Sequence, residues 1–148
     1  MIKKGIVGSG SDKFTSLGAL RAVMRIRGIL DKPCILVSGH SIKEGIDIWS
    51  EDIFRELYPD ITPEIKAPLQ EKWDAPYGYK ARNLDIAQTI NELYVIVANH
   101  YPPLYTGERF KMCYHCGTAN HLKSGACWTA KQARILNKPV FYTIIENE

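Results

Sequence analysis

The 148-residue chain lacks an apolar run of the length that a membrane-spanning helix needs, about 18 residues. It also lacks the apolar core of a secretory signal, because Met1-Ile2-Lys3-Lys4-Gly5 leads directly into a stretch with strand character. We therefore expect no membrane partner and a cytoplasmic location.

Internal repeats, linkers and a strong charge of one sign are absent as well. A hydrophobic content of 45% is typical of a folded chain, and residues 1–148 have the length of a single domain. The net charge is only +3. Arg21, Arg25 and Arg27 fall within one predicted helix, where a solvated face explains them better than a nucleic-acid stripe. We find no nucleic-acid motif outside a Cys/His cluster, and nucleic acid is not expected as a partner.

Strand and helix signals alternate along the chain. Apolar runs predict strands over 2–7, 34–37, 93–98 and 140–145, and a weaker one over 61–67 that flanking prolines place near a sheet edge. Apolar residues at helical spacing predict four intervening helices. This alternation indicates the α/β class with a parallel sheet. Residues 99–124 form a long loop insertion before the last helix, of a length usual for functional loops.

Two glycine-containing turns follow the first two strands. Gly8-Ser9-Gly10 ends the first strand and Ser38-Gly39-His40 ends the second. Because strand-to-helix loops of a parallel sheet emerge at its carboxyl edge, both turns should line one crevice, where a phosphate-sized anion could meet backbone N–H groups and helix N-termini. The alternative is that the glycines serve tight-turn geometry alone, and that His40 is a structural or solvated loop residue.

Four motifs, taken in order, resemble the SLOG superfamily of Rossmann-like proteins, which includes the LOG phosphoribohydrolases and the DprA proteins. The motifs are Gly8-Ser9, Ser38-Gly39 with Gly45 and Asp47, Arg82-Asn83, and Ser124-Gly125-Ala126 before Ala133 and Lys138-Pro139-Val140. The resemblance covers nearly the whole chain. It implies a Rossmann-like parallel sheet of about five strands with helices on both faces, and a nucleotide or nucleotide derivative bound at the carboxyl edge.

The two turns and the resemblance together predict a set of ligand-binding residues. They are Gly8, Ser9, Gly10, Ser38, Gly39, His40, Asp47, Arg82, Asn83, Ser124, Gly125 and Ala126. Arg82 matches the arginine that lies over the sugar-phosphate in LOG enzymes, whereas Gly10 stands where small relatives often have Arg. LOG enzymes place a Glu shortly after the last Gly-Thr motif, but this chain has Cys127, Trp128 and Thr129 there.

The missing glutamate favours binding of a nucleotide-derived small molecule, as a sensor or sequestering protein, over its turnover. The alternative is hydrolysis of an N-glycosidic bond in a nucleoside phosphate, with Asp47, Glu51 and Arg82 as candidate catalytic residues or an acid from a neighbouring subunit. An acidic solvated helix face would also explain Asp47 and Glu51. We expect a homo-oligomer.

The most unusual local feature is a Cys/His cluster in and after the insertion. Cys113, Cys116, His121 and Cys127 have the spacing C-x2-C-x4-H-x5-C, one residue longer at its end than a zinc knuckle. Three thiols and an imidazole are a ligand set for structural zinc, with His115 as a substitute ligand. The alternatives are reduced packing cysteines, a reactive thiolate at Cys127, or a zinc-stapled nucleic-acid-interaction module.

Overall fold

The structure, a computed structural model, describes residues 1–148 as alternating strands and helices. The strands are β1 (Lys3–Gly8), β2 (Ile35–Ser38), β3 (Glu64–Ile65), β4 (Glu92–Ala98) and β5 (Val140–Ile145). The α-helices are α1 (Ser16–Ile29), α2 (Ile46–Leu57), α3 (Tyr79–Thr89) and α4 (Gly125–Ile135), and a short 3-10 helix covers Ser11–Lys13. None of the helices has the length and apolar character required to cross a bilayer.

All five strands pair in parallel, in the order β3-β2-β1-β4-β5. The chain leaves β1 toward β2 on one side and returns to β4 on the other, so the strand order reverses between β1 and β4. At such a reversal the loops at the carboxyl edge diverge and leave a crevice. This reversal positions the candidate site.

The core has two layers, one on each face of the sheet. On one face α1 and α2 pack over a buried cluster that includes Ile26, Leu36 and Phe54. On the other face α3 and α4 pack over a second cluster that includes Ile86 and Val95. Strands buried on both faces explain the continuous apolar runs in the sequence, particularly in β4.

Local sequence determines where the helices begin. Thr15 caps α1, with its hydroxyl accepting a hydrogen bond from the Gly18 amide at 3.0 Å. Ser124 caps α4 in the same way through the Ala126 amide, at 3.2 Å. Gly45 precedes α2 at φ +71, a left-handed conformation that favours glycine.

The structure confirms the predicted α/β class, the parallel five-stranded sheet and the helices on both faces. It differs in the bounds of some elements. The first two strands each lie one residue later than predicted, at Lys3–Gly8 and Ile35–Ser38. The weak strand over 61–67 shortens to Glu64–Ile65 at the sheet edge, where prolines on both sides limit pairing.

Candidate functional site

A cleft of about 550 Å³ opens at the carboxyl edge of the sheet, where the strand order reverses. Its floor comes from the turn after β1, and its sides from the turn after β2, the first turns of α3 and α4, and the 99–124 insertion. Every element that contributes thus ends or begins at the same edge, as parallel topology requires.

Backbone hydrogen bonds join the two glycine-containing segments. The Ile46 amide donates to the Ser9 carbonyl at 3.2 Å, and the Ser11 amide donates to the Lys43 carbonyl at 3.1 Å. A side chain at Gly45 would collide with the backbone of the turn after β1. The turn after β1 and the segment before α2 therefore meet at one crevice. The expectation that both glycine-containing turns line it holds for Gly8-Ser9-Gly10, whereas Ser38-Gly39-His40 lies outside the lining.

Ser9 has an unusual environment at the floor of the cleft. Its side chain is buried, and its hydroxyl has no hydrogen-bond partner within the protein. Buried hydroxyls are normally paired. An unpaired one beside a cleft is a candidate contact for a bound polar group.

Arg82 projects from the first turn of α3 into the cleft and is held by two neutral acceptors. Its guanidinium donates to the Gly39 carbonyl and, through Nε, to Asn83 Oδ1 at 2.7 Å. No carboxylate lies within salt-bridge distance of it. Because a guanidinium has five N–H donors, several remain for a ligand, and its charge is not neutralised by an ion pair.

Asp47, in the first turn of α2, is the buried carboxyl of the cleft. It accepts a hydrogen bond from the Ser41 amide at 3.1 Å. Burial raises the pKa of Asp47 to about 6, although the Arg82 charge and the Ser41 amide oppose this shift. Burial also lowers the pKa of Arg82. Asp47 can therefore exchange a proton near neutral pH, which ordinary aspartates do not do.

The outer wall of the cleft is aromatic and comes from the insertion. Tyr101 and Tyr105 are stacked with ring centroids 4.7 Å apart, and Phe110 lies farther along the same wall. Lys13 lies 4.8 Å from the centre of the Tyr105 ring. Flat apolar rings facing a polar floor suit a ligand with a planar group at one end and a charged group at the other.

Other members of the predicted set lie behind the cleft. Glu51 is only 1% exposed and accepts hydrogen bonds from the Ser38 hydroxyl at 2.7 Å and from His40 Nδ1 at 2.8 Å. This network packs under the turn after β2. Glu51, Ser38 and His40 do not line the cleft.

Nine of the twelve expected ligand-binding residues line the cleft: Gly8, Ser9, Gly10, Asp47, Arg82, Asn83, Ser124, Gly125 and Ala126. Gly39 does not line the cleft, but its carbonyl accepts a hydrogen bond from the Arg82 guanidinium, which does. Sequence reasoning missed the cationic contributors Lys43 and Lys123 and the aromatic wall. The tyrosine-rich composition of the insertion indicated a cluster of aromatic side chains, but their position over the cleft depends on the fold.

A candidate metal centre lies beside the cleft. The ligand atoms of Cys113, Cys116, His121 and Cys127 all fall within 4.8 Å of one another, so this cluster could hold a metal ion. His115, the expected substitute, is not in the cluster and packs against the Tyr114 ring. Cys127 reaches the group from the first turn of α4, so the extra residue in the spacing does not keep it away.

One pair of donors already has the separation expected in a tetrahedral zinc site. His121 Nε2 lies 3.6 Å from Cys127 Sγ, close to the separation of about 3.5–3.8 Å between ligands of tetrahedral zinc that follows from bonds of ~2.0–2.3 Å. His121 Nδ1 is 2.7 Å from Asn120 Oδ1, which holds a proton on Nδ1 and leaves Nε2 free for a metal.

The backbone around Cys113 forms a tight knuckle. The amides of Cys116 and Gly117 both donate to the Cys113 carbonyl, at 3.2 and 2.8 Å. Gly117 adopts φ +70, which glycine tolerates. Burial opposes ionisation of the Cys113 thiol, but hydrogen bonds from the Cys116 and Ser124 backbone outweigh it, so its net pKa is lowered.

No protein-family model matches this chain, and no curated protein shows significant sequence similarity to it.

Proposed function

We propose that the cleft binds a nucleotide-derived small molecule, and that the protein acts as its sensor or sequesters it. The observation that carries this proposal is the position of Arg82 in the cleft, fixed by carbonyl groups and free of any carboxylate ion pair. A cation held in this way is prepared for an anionic group of the ligand.

The polar end of the cleft suits a phosphate. Gly8 and Gly10 let the ligand approach the backbone closely, and the unpaired Ser9 hydroxyl supplies a hydrogen-bonding group. Lys43 adds a second cation without a carboxylate partner. Phosphate bound here would lie between Arg82 and the turn after β1.

The aromatic wall suits the base. The stacked Tyr101 and Tyr105 rings and Phe110 offer flat faces across from the polar floor, and base–aromatic stacking is sequence-tolerant. A cleft of about 550 Å³ is within the usual range for small-molecule sites.

Binding without turnover is favoured because α4 lacks the glutamate that LOG enzymes place after their last Gly-Thr motif. The residues there are Cys127, Trp128 and Thr129, none of which supplies a carboxylate. A hydrolase remains the second candidate on one observation. Asp47 lines the cleft with a pKa of about 6, the range suited to a general acid, whereas Glu51 lies outside the cleft.

We further propose that the Cys/His centre holds a structural Zn²⁺. Three thiols with one imidazole form a closed ligand set, which is typical of structural zinc. The centre joins the knuckle to the first turn of α4. It would therefore fix the end of the insertion that also supplies the aromatic wall.

Calorimetric titration tests the binding proposal. Arg82→Ala should weaken binding of a nucleoside monophosphate about 10-fold or more, because a hydrogen bond to a charged group contributes about 1.5–3 kcal/mol, and should leave binding of the matching free nucleoside nearly unchanged. Arg27→Ala is the matched control, since Arg27 pairs with Glu56 on the outer surface. Equal losses for nucleotide and nucleoside would contradict the role of Arg82.

A further inference from the structure

The chain has a strong local bias of charge. Between Arg109 and Ile145 it contains six Lys or Arg residues and no Asp or Glu. None of these six cations lies within salt-bridge distance of a carboxylate, whereas Lys3, Arg27 and Lys66 elsewhere are all paired. The positive charge of this region is therefore not neutralised within the protein.

Part of this charge lies among aromatic rings on one surface. Lys123 Nζ is 4.8 Å from the centre of the Phe110 ring and 5.3 Å from that of Tyr114. Tyr114 is 57% exposed as a residue, and its ring centroid lies 4.7 Å from that of His115. The surface thus presents a ring to solvent beside a cation.

Two further cations lie on α4 beside the Cys/His cluster. Lys131 follows Cys127 by one helical turn, and the Cys127 thiol belongs to that cluster. Arg134 lies 5.3 Å from the centre of the Tyr142 ring, whose hydroxyl is 3.5 Å from Cys116 Sγ. We call this surface the knuckle face; it consists of Phe110, Tyr114, His115, Lys123, Lys131 and Arg134.

We propose that the knuckle face binds single-stranded nucleic acid. Its cations suit a phosphate backbone, and its exposed ring suits an unpaired base, because stacking requires a base face that a duplex keeps covered. An acidic peptide would satisfy the cations but leave the rings without a stacking partner.

The knuckle face and the cleft are adjacent but separable. Phe110 and Lys123 belong to both, whereas Tyr114, Lys131 and Arg134 do not line the cleft. Variants at Tyr114, Lys131 and Arg134 therefore test this proposal independently of nucleotide binding at Arg82.

Fluorescence anisotropy with a labelled 15-nucleotide oligothymidylate tests the proposal on full-length protein purified without chelators. Tyr114→Ala should weaken binding roughly 5- to 150-fold, the ratio that corresponds to loss of one base stack. Tyr114→Phe keeps the ring and should bind as wild type. Arg82→Ala should also retain oligonucleotide binding, which distinguishes this surface from the cleft.

The charge contribution is measured by salt dependence. The double variant Lys131→Ala/Arg134→Ala should reduce the slope of log K against log salt by roughly 1.4, because each phosphate contact on a single strand contributes about 0.7. Lys32→Ala is the control, an exposed lysine without an ion pair that precedes β2.

Three results would overturn the proposal: unchanged affinity in both Tyr114→Ala and the double variant, equally tight binding of the matching duplex, or equally tight binding of polyglutamate. Tyr114, Lys131 and Arg134 are all exposed, so folding should be unaffected by these substitutions. Unchanged melting temperatures would establish this directly.

Discussion

Replacement of Asp47 by Asn should change how the stability of the protein depends on pH. Burial raises the pKa of Asp47 in the folded protein to about 6, from an ordinary value of 3.8. The folded state therefore holds this proton more tightly than the unfolded state does. The resulting stability is fully present below pH ~4 and is lost as the pH rises through about 6. The amide of the Asp47→Asn variant would carry no such dependence, and its side-chain oxygen can still accept the Ser41 amide.

The size of the effect follows from the shift. A difference of about 2 pKa units corresponds to about 3 kcal/mol over the full range, of which about 2 kcal/mol falls between pH ~4.5 and pH ~8. For a chain of 148 residues, 2 kcal/mol corresponds to about 6 °C in melting temperature. Relative to wild type, Asp47→Asn should therefore gain about 6 °C on going from pH ~4.5 to pH ~8.

Differential scanning calorimetry of both proteins over this pH range measures the effect. Asp52→Asn is the matched control, because Asp52 is an exposed residue of the same helix without an ion pair. A melting-temperature difference between wild type and Asp47→Asn that stays constant with pH would contradict a raised pKa of Asp47 in the folded protein.

Three further outcomes are expected. Gly39→Val should lose binding of the nucleoside monophosphate in calorimetry while remaining folded, because a Cβ at Gly39 would lie 2.6 Å from Arg82 Nη1 and displace the guanidinium. Gly28→Val is the control, since a Cβ at Gly28 would have nothing within 4 Å. Purified protein should contain near-stoichiometric zinc by elemental analysis, and chelation should lower the melting temperature without unfolding the sheet; Cys116→Ala should lose the metal and Cys34→Ala, outside the cluster, should keep it. The hydrolase alternative requires release of free base from nucleoside monophosphates, so product traces equal to buffer controls from pH ~5 to ~9 would count against it.

The order of strands and helices could be predicted because the strands are buried on both faces and read as apolar runs between helices of clear periodicity. The Cys/His cluster could be predicted from spacing because its four residues are close in the chain. The aromatic wall could not be predicted, because the course of a long loop brings Tyr101 and Tyr105 to the cleft. Glu51 and Asp47 look alike in sequence, one helical turn apart, and only the fold shows that Asp47 alone faces the cleft.

A thermal-shift screen over nucleotides, cyclic dinucleotides and ADP-ribose derivatives is the most direct test of ligand binding in the cleft, with the matching nucleosides as controls. A ligand present at one hundred times its dissociation constant adds about 2.7 kcal/mol to stability, which corresponds to roughly 8 °C for a chain of this length. We expect such a shift for at least one phosphorylated ligand with the wild-type protein, and its loss in Arg82→Ala. The absence of any shift across the panel, or a shift of equal size in Arg82→Ala, would contradict nucleotide binding in this cleft.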